Sequence, residues 1–170
     1  RMANASQDDI EGFLARHKGS LSADRLRGDW LRQLAKERDW AAYMREYPKL
    51  VLEDPELACF AFQARLARGE SGVLSQARPL WFTSQVLPES CMPLFQAMLD
   101  RGILSADDTW ARIRLALENG NLSGAKMLLA YLPAGQRPDA RAFDSISRKP
   151  QRYLDGKPPL KTRAQRELAI

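Results

Sequence analysis

Apolar residues in this chain recur at intervals of three and four along most of its length, and no segment sustains the alternation a half-buried strand requires. That periodicity predicts an all-α fold. Ile10, Phe13, Leu14 and His17 follow Ser6 and Asp9, a variant of the capping box, and stop before Gly19. Ser22 is placed to cap a second helix with Leu26, Trp30, Leu31 and Leu34 in one stripe. Asp39 is placed to cap a third that ends at Tyr47 before Pro48. Asp54-Pro55 offers an N-cap and a pre-set first-turn φ for a helix that turns Leu57, Phe60, Ala61 and Ala64 inward and stops at Gly69. Val73 to Phe82 reads as a helix that Pro79 starts, kinks or breaks.

Ser90 and Pro93 open a helix with Leu94, Phe95, Met98 and Leu99 on one face, closed by Gly102. Ser105 with Asp108 opens the next, ahead of Trp110, Ile113 and Leu117, and Gly120-Asn121 separates it from Leu122 to Leu132. Pro138 begins a further helix through about Ser147. Residues 1–147 are therefore expected to form one helical-hairpin domain. Residues 148–160, rich in proline and without periodicity, read as a linker or long turn, and 161–170 as the truncated start of another helix. About eight or nine helices joined by short turns make antiparallel hairpins. Three corners look alike: Leu34-Ala35 before Arg38-Asp39, Leu66-Ala67 before Gly69-Glu70, and Leu115-Ala116 before Gly120-Asn121. Their unequal spacing makes the repeat degenerate, and the expected architecture is an irregular superhelical solenoid of the TPR-like type.

The balance of 45% hydrophobic and 28% charged residues excludes disordered and collagen-like classes. No run approaches the ~18 consecutive apolar residues that would span a bilayer. Residues 1–5 lack the apolar stretch of a signal peptide, and a first residue of Arg1 reads as a chain processed or cut from something longer. The net charge of +5 lies wholly after residue 136, where nine basic side chains face four acids. The rest is neutral, and nothing clusters tightly enough for a nucleic-acid footprint.

Catalytic signals are sparse. His17 closes an apolar stripe near a helix C-terminus and reads as structural or capping. One His and two Cys do not assemble a zinc site of ordinary ligand count. No phosphate loop, Gly-x-Ser-x-Gly elbow or Cys/His nucleophile pairing is present. No metal, cofactor or catalytic residue is expected. The pairs Asp8-Asp9, Glu53-Asp54 and Asp107-Asp108 all sit at helix starts, where capping accounts for them better than acid–base chemistry. Trp30, Trp40, Trp81 and Trp110 fall within helical stripes and read as core. Cys59 and Cys91, 32 positions apart, fit either two buried thiols or a bridge that would stabilise by roughly 3 to 4 kcal/mol.

The run Leu26-Arg27-Gly28-Asp29-Trp30-Leu31-Arg32-Gln33-Leu34-Ala35-Lys36-Glu37-Arg38-Asp39-Trp40 is followed by Cys59 and then by Cys91-Met92-Pro93-Leu94-Phe95. This succession resembles the N-terminal helical domain of soluble lytic murein transglycosylases. Trp110-Ala111-Arg112-Ile113-Arg114-Leu115-Ala116-Leu117-Glu118-Asn119-Gly120-Asn121 resembles the same domain continuing, so the likeness covers roughly residues 20 to 140. It implies a periplasmic bacterial enzyme whose superhelical domain carries a lysozyme-like module. Such an enzyme cleaves between N-acetylmuramic acid and N-acetylglucosamine and leaves a 1,6-anhydromuramoyl product.

The family's catalytic glutamate lies in a Glu-Ser pair followed by Gly-Leu-Met-Gln. Here Glu89-Ser90 matches the dipeptide alone and is followed by Cys91-Met92-Pro93, so the resemblance carries no catalysis onto Glu89. It implies instead a scaffold portion without the catalytic module, inactive alone. It also implies an oxidising compartment, and with it a Cys59–Cys91 disulfide. Peptidoglycan glycan strands are the partner implied, with the absent catalytic domain and other cell-wall enzymes beside them; nucleic acid and a membrane span are not expected. Arg148, Lys149 and Arg152 form the candidate patch for anionic murein. The competing reading is a TPR-like protein-interaction module without murein activity, and a remoter one is an enzyme working through its own carboxylates.

Overall fold

The computed structural model describes residues 6–169, and among them there is helix and no strand. The α-helices are α1 Gln7–Arg16, α2 Leu21–Glu37, α3 Trp40–Glu46, α4 Pro55–Ala67, α5 Val73–Ala77, α6 Met92–Asp100, α7 Ala106–Glu118, α8 Leu122–Leu128, α9 Ala140–Arg148, α10 Pro150–Asp155 and α11 Arg163–Glu167. Single 3₁₀ turns extend several of them, as at Arg78–Trp81, where Pro79 ends the regular helix of α5.

Most starts follow from the capping chemistry. Ser6 Oγ accepts the Asp9 N–H (3.2 Å) while the Asp9 carboxylate accepts the Ser6 N–H (3.1 Å). Ser105 and Asp108 repeat the exchange at α7, with distances of 3.1 and 2.9 Å. Asp54 Oδ1 accepts the N–H groups of Glu56 and Leu57, satisfying two of the orphan donors of α4. Two expectations change. Ser20, not Ser22, caps α2, its hydroxyl accepting the Ala23 N–H at 3.1 Å. The proline-rich stretch read as a linker contains α10, with Pro150 at its first position, where a missing N–H costs nothing.

The three similar corners share a left-handed residue after the helix: Arg38 (φ 58°), Gly69 (φ 75°) and Gly120 (φ 70°). Glycine takes that conformation freely, whereas Arg38 holds it with a Cβ, its N–H bonded to the carbonyls of Leu34 and Ala35.

The span divides into two compact units: residues through Ala77 together with Leu87–Ala97, and Arg78–Val86 together with Met98 onward. In the first, α1 packs on α2, α2 on α3 and α4, and α3 on α4. Its core is Ile10, Leu14, Trp30, Leu31, Leu34, Tyr43, Leu57, Ala61 and Ala64. Tyr43 is fully buried and donates its hydroxyl to the Leu57 carbonyl at 2.6 Å; burial raises its pKa, so the proton stays on the donor. In the second unit α7 packs on α8 and α9 on α10, with Trp81, Trp110, Ile113, Leu132 and Phe143 buried. Trp81 donates its indole N–H to the Asp108 carbonyl (3.0 Å), meets Tyr131 edge to face and lies beneath the Arg112 guanidinium at 4.5 Å.

Two helical glycines in these units should respond oppositely to alanine. A Cβ on Gly28 meets only ordinary contacts, at 3.6 Å and beyond, so Gly28→Ala should raise stability by roughly 0.5–1 kcal/mol through helix propensity. A Cβ on Gly124 falls 2.5 Å from Asn121 Nδ2, and the Asn121 side chain both caps α8 and donates to the Ser84 carbonyl. Gly124→Ala must displace it and should cost about 1 kcal/mol. Urea denaturation of the two variants checks both signs.

Candidate binding cleft

The first unit opens into a cleft of about 1080 Å³ between α1, α2, the end of α3 and the segment after it. Its construction starts from two charged residues on the inward face of α2. Asp24 and Arg27 are one helical turn apart and both buried, in register with the buried Gly28 and Leu31. Asp24 accepts the N–H groups of Val51 (2.8 Å) and Leu52 (2.9 Å), so one carboxylate pins the segment that leaves α3. Arg27 donates from Nη1 to the Lys49 carbonyl at 3.2 Å. Its guanidinium also lies 3.5 Å from Glu46 and 3.8 Å from Asp24, and its buried Nε has no hydrogen-bond partner among the described residues. Glu46 in turn pairs with Lys49 at 2.6 Å.

These four charges balance one another on the floor. Around them the rim is exposed and amphipathic, with Leu21, Val51 and Leu52 contributing apolar surface and Lys18, Arg45 and Glu11 contributing charge. Three of the nine large apolar side chains that are exposed among the described residues thus gather at one opening. A smaller cavity of about 250 Å³ is lined by α2, by Leu50 and Leu52 of the same segment, and by the start of α4. Beside it Arg32 binds Asp54 and Glu56, and the hydrogen bond to Glu56, with the negative charge of Asp54 behind it, holds its pKa above the ordinary arginine value.

The cysteines come together: the Sγ atoms of Cys59, on α4, and Cys91, just before α6, are 2.05 Å apart. Both residues are buried within the first unit. Arg148 ends α9, Lys149 joins it to α10, and Arg152 lies on α10; all three are exposed at one helix–helix corner. His17 is the C-cap of α1 and packs on Phe13, with ring centroids 4.3 Å apart. Glu89 is exposed on a single 3₁₀ turn. The paired carboxylates keep their places at helix starts. Hydrogen bonds from Ser6 hold Asp9 below the usual carboxylate range, Asp107 pairs with Arg163, and Asp108 pairs with Arg78. No group of three or more His, Cys, Asp or Glu suited to a metal occurs among the described residues.

The sequence reading missed the cleft. Its one trace was the pair Asp24 and Arg27 falling on inward positions of α2, beside the apolar stripe.

No family model matches the chain. Among curated proteins it is 29% identical to the soluble lytic murein transglycosylase of Escherichia coli K12 over 149 residues, which is 85% of this chain and 22% of that protein. It is 27% identical to the enzyme of the same name from Salmonella typhimurium LT2 over 133 residues, 76% of this chain and 20% of that one. Among solved structures it matches a 70-kDa soluble lytic transglycosylase in complex with bulgecin A, with a TM-score of 0.77 and 25% identity. Over most of its own length, then, the chain is similar to soluble lytic murein transglycosylases. That structural match covers 98% of this chain and 27% of the other. A lytic transglycosylase from Pseudomonas aeruginosa matches with a TM-score of 0.72 and 27% identity over 97% of this chain. The chain thus spans between a fifth and just over a quarter of the length of these relatives. No helix among the described residues is long and apolar enough to cross a membrane.

Proposed function

We propose that this chain is a noncatalytic helical scaffold portion of a periplasmic lytic transglycosylase, which guides or excludes glycan strands while a separate lysozyme-like module performs the cleavage. The parent reaction is scission between N-acetylmuramic acid and N-acetylglucosamine with formation of a 1,6-anhydromuramoyl end. The observation that carries this reading is the breadth of the match on this side against its narrowness on the other: nearly the whole chain aligns to a helical part of much longer murein-cleaving enzymes. The bridged cysteines suit an oxidising compartment. The Glu89-Ser90 dipeptide lacks the sequence that follows the family's catalytic glutamate.

Arg148, Lys149 and Arg152 supply the anion-binding patch in this reading, three exposed cations on one corner. Incubating the purified chain with sacculi, pelleting, and analysing the supernatant tests the proposal. Retention without released anhydro-muropeptides is expected. Reversing all three charges to glutamate should lower retention about tenfold at low salt, with the difference shrinking in high salt as screening grows. Release of anhydro-muropeptides by the chain alone would overturn the noncatalytic reading. Absence of retention, with a protein ligand bound instead, would favour the TPR-like interaction module.

A further inference from the structure

We infer that the cleft of the first unit is a subsite for the acidic stem peptide of peptidoglycan, separate from the basic corner proposed for the polymer as a whole. The inference rests on the murein reading above and adds which part of that polymer the cleft takes.

Some charges of the cleft are spent on one another and others are left over. On the floor, Asp24 is occupied by two backbone N–H groups and Arg27, and Glu46 by Lys49 and Arg27. Those side chains hold the cleft open and offer a ligand little net field. At the mouth the remaining charges are Lys18 and Arg45 against Glu11, all three exposed, so an occupant meets an excess of positive charge. Between them Leu21, Val51 and Leu52 are 54%, 77% and 49% exposed, which is apolar surface at the place where charge is displayed. The complementary ligand carries carboxylates on a backbone with small aliphatic side chains. A glycan strand offers hydroxyls and amides and matches this rim poorly, whereas a short acidic peptide rich in alanine fits both parts. A volume of about 1080 Å³ is ample for several residues of such a peptide.

The test is calorimetric titration of the whole chain with three soluble probes: a disaccharide-tetrapeptide muropeptide, the same compound with its peptide carboxylates amidated, and the peptide-free disaccharide. The muropeptide should bind, amidation should weaken it about tenfold, and the peptide-free sugar should not saturate. The double reversal Lys18→Glu with Arg45→Glu should weaken the muropeptide about tenfold. Should that variant unfold, the milder Arg45→Gln carries the same test, with an expected loss of about threefold. Equal binding of the peptide-free sugar, or full affinity in folded cleft variants, would overturn the assignment. The basic-corner variant R148E/K149E/R152E separates the two proposals. It should keep muropeptide affinity while its retention on sacculi falls about tenfold at low salt. Retention on sacculi with no muropeptide binding would refute the cleft alone, whereas absence of both would refute the murein reading beneath it.

Discussion

Truncating Trp81 to alanine should lower the unfolding free energy of the second unit by about 3–5 kcal/mol, the range for removing a fully buried aromatic side chain. Three losses coincide at that ring. The core loses its packing against Tyr131, the carbonyl of Asp108 loses the indole N–H, and the buried Arg112 guanidinium loses the π-face beneath it. Burial has already pulled Arg112 down to about 10, the sign of a charge held where water solvates it poorly. Trp81→Phe separates the terms, since it keeps a ring under Arg112 and most of the volume but removes the donor; about 1–2 kcal/mol should be lost. Urea denaturation of the two variants measures the difference, and hydrogen exchange along α7 and α8 locates it. Equal losses in both would mean that the N–H bond, not the packing, governs the site.

Asp24→Ala should cost the first unit about 3–5 kcal/mol, an effect of similar size from a single small side chain. The substitution strands two backbone donors, Val51 and Leu52, and removes a counter-charge from the buried Arg27. Asp24→Asn is nearly isosteric and retains acceptor capacity, so it should recover part of the loss while leaving the charge deficit. The double variant in which Arg27 is also replaced by methionine should be less damaged than Asp24→Ala alone, because the orphaned cation goes with it. Thermal unfolding of this set decides the matter. An Asp24→Ala chain as stable as the parent would mean that the segment after α3 is held by its apolar contacts alone.

The extent to which the fold was legible follows the range of the interactions concerned. Helix starts depend on a hydroxyl or carboxylate three residues from a free N–H, so Ser6 with Asp9, Ser105 with Asp108, and Asp54 before Pro55 announced themselves in the sequence. The same locality produced the error at Ser20. Ser20 and Ser22, two positions apart, offer the same group, and only where the backbone turns from extended to helical, at Ser20, tells them apart. α10 was hidden because a proline count reads as breakage, although proline at a first helical position is favourable. The cleft was illegible for the opposite reason to the caps. Its floor joins residue 24 to backbone groups 27 and 28 positions away, and side chain to backbone pairings of that range leave no periodic trace. The cysteines were visible as residues and fitted a bridge or two buried thiols equally; likeness to a family is what favoured their pairing.

The first unit is written in two instalments, since residues 78–86 belong to the second unit before the chain returns at Leu87. During synthesis Cys59 therefore emerges long before Cys91, and for those 32 residues it is a thiol whose bonding partner does not yet exist. An external oxidant that reaches that thiol before Cys91 follows can couple it only to a thiol of another molecule. Once the bond closes, the advantage reverses. A single protease cut anywhere between residues 59 and 91 leaves both pieces tethered, and the damage becomes visible only when a reductant releases them.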